Sequence, residues 1–145
     1  MNRRLFALAM GSLLVWASTG CAPVTPQEES GIHVDLQRMG REDYIQYCAS
    51  CHGADGRGRG PVAPALKVAP ADLTGIAARR GGAFPRTEIA YVIDGRFELS
   101  VHGTRDMPIW GRKFREGLPQ NETGEALVRG RIAGLVEYLM SIQEP

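Results

Sequence analysis

The chain has 145 residues, 43% hydrophobic and 23% charged, the make-up of one ordinary globular domain. Its net charge is +1, and with Arg3 and Arg4 removed in an N-terminal signal it becomes −1, since no acidic residue precedes Glu28. That balance gives no support for a nucleic-acid partner, which would want a broad basic face.

Residues 1–20 have the layout of an export signal. Arg3 and Arg4 supply the positive start, Leu5 to Trp16 form a short apolar stretch, and small residues follow at Ala17, Ser18, Thr19 and Gly20. A hydrocarbon core needs ~20 apolar residues to span it, so this stretch suits a cleaved signal better than an anchor. Cys21 stands where a bacterial lipoprotein carries its acylated cysteine, although Ser18 occupies the position usually held by leucine. A leftover cysteine in an exported chain calls for a role, and lipid attachment would supply one. The segment 21–35 is polar and carries Pro23 and Pro26, so it is expected to be a flexible linker. The folded domain is expected over 36–145, in the periplasm, tethered to a membrane if Cys21 is acylated.

Four helices are expected within that domain. The first covers 41–51, with Glu42 and Asp43 in its opening turn where they complement the helix dipole. Gly53 to Pro70 is too rich in glycine and proline for a regular element. A short helix is expected over 72–79 with Asp72 as N-cap. Another is expected over 86–94, capped by Thr87, with Ile89, Ala90, Tyr91 and Ile93 inward. Residues 95–113 read as irregular. The last helix, 124–143, carries Leu127, Val128, Ile132, Leu135, Val136, Leu139 and Met140 as an apolar stripe. Nothing alternates as a strand does, so the fold class is all-α with long loops.

The chemistry lies in Cys48-Ala49-Ser50-Cys51-His52. Two thiols three residues apart sit one helical turn apart and can both reach the vinyl groups on one edge of a haem. The histidine that follows presents its imidazole to the iron. A zinc site would need two further ligands, and Cys21, His33 and His102 offer no second paired cluster. A thioredoxin-like pair would want a βαβ context, and a disulfide would leave His52 without a role. With only 7% aromatic residues, a large cofactor would also help such a chain fill its core.

Met107 is the candidate for the second axial ligand. Pro108 biases it toward extended geometry and stiffens the loop that bears it. A thioether favours ferrous iron, so His/Met ligation raises the reduction potential. His102 is the rival ligand in the same stretch.

With the haem motif near the start of the domain and the Met-Pro loop after its middle, residues 36–142 resemble a class I cytochrome c. The resemblance implies one covalent haem c, bound by Cys48, Cys51, His52 and Met107, with His52 and Met107 on the iron. It implies electron transfer between redox partner proteins rather than catalysis on a substrate. It also implies a crossing of the first and last helices at Gly40 and Tyr44 near Tyr138. A proline carbonyl at Pro61 or Pro64 would accept the other ring N–H of His52. Trp110 would pack beside the haem or bond a propionate, or serve as a core residue. Gly53 and Gly56 would make tight turns beside the ring. Arg57, Arg59, Arg105, Arg112, Lys113 and Arg115 flank these loops, either as a basic docking rim or as a solvated surface. Two other functions fit parts of the sequence. One is a haem enzyme or gas-binding sensor with an open iron site, and the other is a partner-binding lipoprotein in which the motif is incidental.

Overall fold

The first helix begins inside the segment read above as a linker. The computed structural model describes residues 25–96 and 107–145, and α1 runs from Pro26 to Tyr47. Proline suits the first helical position, because the amide it lacks would have no partner there. The Glu29 amide donates to the Thr25 carbonyl at 3.0 Å, which puts Thr25 at the N-cap. The outer half of α1 has no apolar period because it is solvated almost all round. Val34 is 65% exposed and the turn at Gly31 stands in open space. Cys21, His102 and Arg105 lie outside the described residues, as does the apolar stretch from Leu5 to Trp16. Among the described residues no helix is long and apolar enough to cross a membrane.

The remaining helices are α2 (Ala49–His52), α3 (Arg86–Asp94), α4 (Trp110–Arg115) and α5 (Glu122–Ser141), with 3-10 turns at Ala63–Ala65 and Ala78–Arg80. No strand occurs among the described residues, so the fold is all-α. The helix expected over 72–79 reduces to turns ending in the second 3-10 element. Asp72 caps one of these turns, its carboxylate accepting from the Thr74 amide at 2.8 Å and the Thr74 hydroxyl at 2.7 Å. α3 has the expected span, but Pro85 rather than Thr87 holds its N-cap position. Asn121 caps α5 by accepting from the Gly124 amide at 3.2 Å.

Two glycines set how closely α1 and α5 cross. A Cβ on Gly40 would overlap the Gly134 carbonyl, and one on Gly134 would lie 3.0 Å from the Leu36 carbonyl oxygen. Below the crossing, Tyr44 meets Tyr138 with ring centroids 5.0 Å apart. These contacts lie where the resemblance implied them. Val128, Ile132, Leu135, Val136 and Leu139 form the buried stripe of α5. Leu127 and Met140, expected on the same stripe, are instead exposed at its edges, because an apolar face of that width covers less than the whole set. Tyr91 is likewise 60% exposed, whereas Ile93 on the same helix is buried. Glu137, buried on α5, pairs with Arg86 of α3 and lies 3.5 Å from His33 Nδ1 of α1, so one carboxylate joins three helices.

Candidate functional site

α1 passes into the Cys48–His52 segment almost without interruption. Cys48 stands between α1 and α2, its amide donating to the Tyr44 carbonyl at 2.9 Å, while the His52 amide donates to the Cys48 carbonyl at 2.9 Å. Helical hydrogen bonds therefore carry through the motif, and Cys48 and Cys51 are spaced by one turn with both thiols free. Burial pushes the Cys48 thiol up to about 12, with Asp43 and Cys51 adding to the shift.

His52 Nδ1 lies 3.0 Å from the Ala71 carbonyl oxygen. A carbonyl only accepts, so Nδ1 carries the proton and the lone pair of Nε2 is left for a metal. The acceptor is neither Pro61 nor Pro64. The turn bearing those prolines is pinned back onto α2, where the Val62 amide donates to the Ser50 carbonyl at 2.9 Å. The chain then returns past Gly58, where a side chain would strike the Pro70 carbonyl. That close approach brings the next carbonyl, Ala71, to the imidazole. No motif in the sequence marks Ala71, since a backbone acceptor has no side-chain signature.

Gly53 and Gly56 have φ of +81° and +79°, in the region open to glycine, and they turn the chain under α2. The Gly53 carbonyl accepts from the buried Tyr44 hydroxyl at 2.7 Å and from the Gly56 amide at 3.1 Å. The Gly56 carbonyl in turn accepts from Leu73 at 2.7 Å.

Met107 is half-buried, three residues ahead of α4. Three residues reach at most ~11 Å, so its position follows that of Trp110. The Trp110 ring lies 5.8 Å from Tyr47 and stacks on Phe114 at 5.9 Å. Tyr47 directly precedes Cys48, so the helix after Met107 and the Cys48–His52 segment share one aromatic cluster. Arg131 of α5 covers the cluster, 4.1 Å from the Phe114 centroid, and forms a two-pronged pair with Asp43 at 2.9 and 2.5 Å. Sequence reasoning assigned nothing to Arg131 or Asp43 beyond the helix dipole. Their only signal is opposite charge on two helices, and that becomes informative once the crossing is known.

Most of the candidate basic rim is neutralised. Arg57 pairs with Glu144, Arg59 with Asp55 at 3.8 Å, Lys113 with Glu116 at 2.6 Å and Arg115 with Glu125 at 2.8 Å. Among the described residues Arg112 alone of this set has no ion-pair partner. No three His, Cys, Asp or Glu side chains gather as a metal cluster among the described residues. No protein-family model matches the chain, and no curated protein or solved structure matches it either.

Proposed function

We propose that this chain is an electron carrier of the class I cytochrome c kind, holding one covalent haem c on Cys48 and Cys51. The observation that carries the reading is the state of His52. It follows two thiols one turn apart, and the Ala71 carbonyl holds its proton on Nδ1 and leaves Nε2 available. The donor types fit the group: the free thiols of Cys48 and Cys51 would take the vinyl carbons, and the His52 imidazole and the Met107 thioether would supply ligands to the iron. The bound haem would supply a one-electron couple between ferric and ferrous iron.

The chain's own residues do the rest. Cys48 and Cys51, one turn apart at the junction of α1 and α2, would hold the ring by one edge. His52 donates Nδ1–H to Ala71, which orients the imidazole and raises its basicity. Met107 supplies a soft ligand that favours the reduced state. His52 and Met107 would both serve as ligands to the bound group, which suits electron transfer between redox partner proteins in the periplasm rather than binding of a substrate. Acylation of Cys21 would keep the carrier at a membrane.

The test is expression with the c-type maturation machinery, followed by absorption spectra of both oxidation states and acid–acetone extraction. Haem that resists extraction, with low-spin bands and a sulfur-to-iron charge-transfer band absent in Met107→Ala, is the expected outcome. Extractable haem, or none, would sink the reading. Covalent haem with a high-spin spectrum and ready binding of carbon monoxide would move the function to a haem enzyme or gas sensor.

A further inference from the structure

Tyr44 is 1% exposed, and its ring is fully used in packing against Tyr138. Phenylalanine would serve that packing equally well. The hydroxyl is therefore an added polar group in a buried place, where it costs free energy unless it is bonded. It is bonded to one acceptor, the Gly53 carbonyl at 2.7 Å. Burial pushes the phenol well above its ordinary range, with Cys48 and Tyr138 adding to the shift, so it remains a donor at any working pH.

Gly53 is the residue directly after His52. With φ of +81° and ψ of 151°, it adopts a conformation open to glycine, and its carbonyl is held by two donors, the Tyr44 hydroxyl and the Gly56 amide. From that carbonyl a short chain of bonds leads back to the histidine. Gly56 N–H donates to Gly53 at 3.1 Å, and Leu73 N–H donates to Gly56 at 2.7 Å. Two residues before Leu73, the Ala71 carbonyl accepts from His52 Nδ1. Space at the hub is close-filled. A Cβ on Gly56 would lie 2.9 Å from Ile142 Cδ1, 3.4 Å from Thr74 Cγ2 and 3.8 Å from the Tyr44 oxygen.

We propose that Tyr44 is a positioning residue for His52, its hydroxyl locking the Gly53–Gly56–Leu73 bonds that hold the Ala71 carbonyl against the imidazole. The inference rests on the haem reading given above. Its chemical consequence has a definite sign. A firm Nδ1–H bond makes the imidazole a stronger donor to iron, which favours the ferric state. Loosening that bond weakens the donor and moves the potential upward.

The experiment is Tyr44→Phe in the haem-loaded protein, with Tyr138→Phe as control. The midpoint potential and the solvent exchange rate of the His52 Nδ1–H are read by electrochemistry and proton NMR. Tyr44→Phe is expected to raise the potential and to speed that exchange about fivefold, the scale of one hydrogen bond. Tyr138→Phe removes the other hydroxyl of the same ring pair and should move neither reading. A Tyr44→Phe protein that is less stable yet keeps the wild-type potential and exchange rate would overturn the inference while leaving the haem reading intact. A wild-type chain that takes up no covalent haem overturns the haem reading itself. If Tyr44→Phe does not mature, exchange in the wild-type holoprotein decides. The amides of Gly56 and Leu73 should open together with the His52 Nδ1–H, and independent rates would overturn the proposal.

Discussion

The two flanks of the candidate site are held by different kinds of interaction. On the His52 flank the fixing groups are mainly backbone amides and carbonyls of one stretch, Tyr44 to Leu73, joined by the Tyr44 hydroxyl and closed by Gln143 Nε2, which donates to the Leu73 carbonyl at 2.8 Å. On the Met107 flank the described residues are held by side chains from distant elements. Trp110 and Phe114 of α4 meet Tyr47 of α1 and Arg131 of α5, and Arg115 meets Glu125 of α5. The first flank is built mostly from backbone bonds within one stretch, with α5 reaching it through Tyr138 and Gln143, whereas the second rests on side chains that meet only once α1 and α5 have crossed. A disturbance of the helix pair should therefore reach Met107 more readily than it reaches His52.

The strongest way to break the comparison is at the crossing itself. In Gly40→Ala the new methyl group would overlap the Gly134 backbone carbonyl, which cannot rotate away as a side chain can. The expected cost is about 3 kcal/mol, the upper range for overpacking a tight contact, measured by urea denaturation. Gly134→Ala, whose Cβ meets its nearest neighbour at 3.0 Å, should cost distinctly less. Equal costs would mean that the helices slide past each other and that the crossing does not organise the site.

A sharper cut separates the flanks. Arg131→Met keeps much of the side chain's length but removes the charge from Asp43, which is 17% exposed, and from the faces of Tyr47 and Phe114. Loss of a charge-assisted, two-pronged bond should destabilise the fold by about 2 kcal/mol. In the haem-loaded protein it should weaken the sulfur-to-iron charge-transfer band while the His52 Nδ1–H keeps its exchange rate. Equal loss on both flanks would show that the cluster supports the whole domain rather than the Met107 side.

The same local-against-distant division decides what could be read from the sequence. The one-turn spacing of Cys48, Cys51 and His52 was legible because it lies within one short helical stretch of chain. α3 and most of α5 were legible because apolar residues recur along them. The outer half of α1 was not, because a solvated helix has no apolar period. Thr25-Pro26 carries a helix start, but Pro26 also fits a linker. α4 was missed because a six-residue helix is marginal by itself. It forms where the Trp110 and Phe114 rings pack against Tyr47, and where buried Gly111 leaves room for the Asp94 carboxylate. Ala71 was missed because only the closeness of Gly58 and Pro70 brings its carbonyl to His52.

The finest test lies within the His52 flank, at Asp72, the residue next to Ala71. Bonds from the Thr74 hydroxyl and amide hold its carboxyl below the ordinary value of 3.8, with Arg57 and Arg79 contributing. A carboxyl whose folded value is lowered stabilises the fold fully above its unfolded value, and that contribution disappears as pH falls through the folded value. The Ala71–Thr74 turn should therefore stay intact from neutral pH down to about 4 and loosen below that. The effect is small, because the side chain is in contact with solvent that screens its charge. It is nevertheless directional: acid should speed exchange of the His52 Nδ1–H before it unfolds the domain. Asp72→Asn should abolish this early acid phase and leave global unfolding almost unchanged. If the early phase persists in Asp72→Asn, another carboxylate governs the turn, and the His52 flank is less local than its hydrogen bonds indicate.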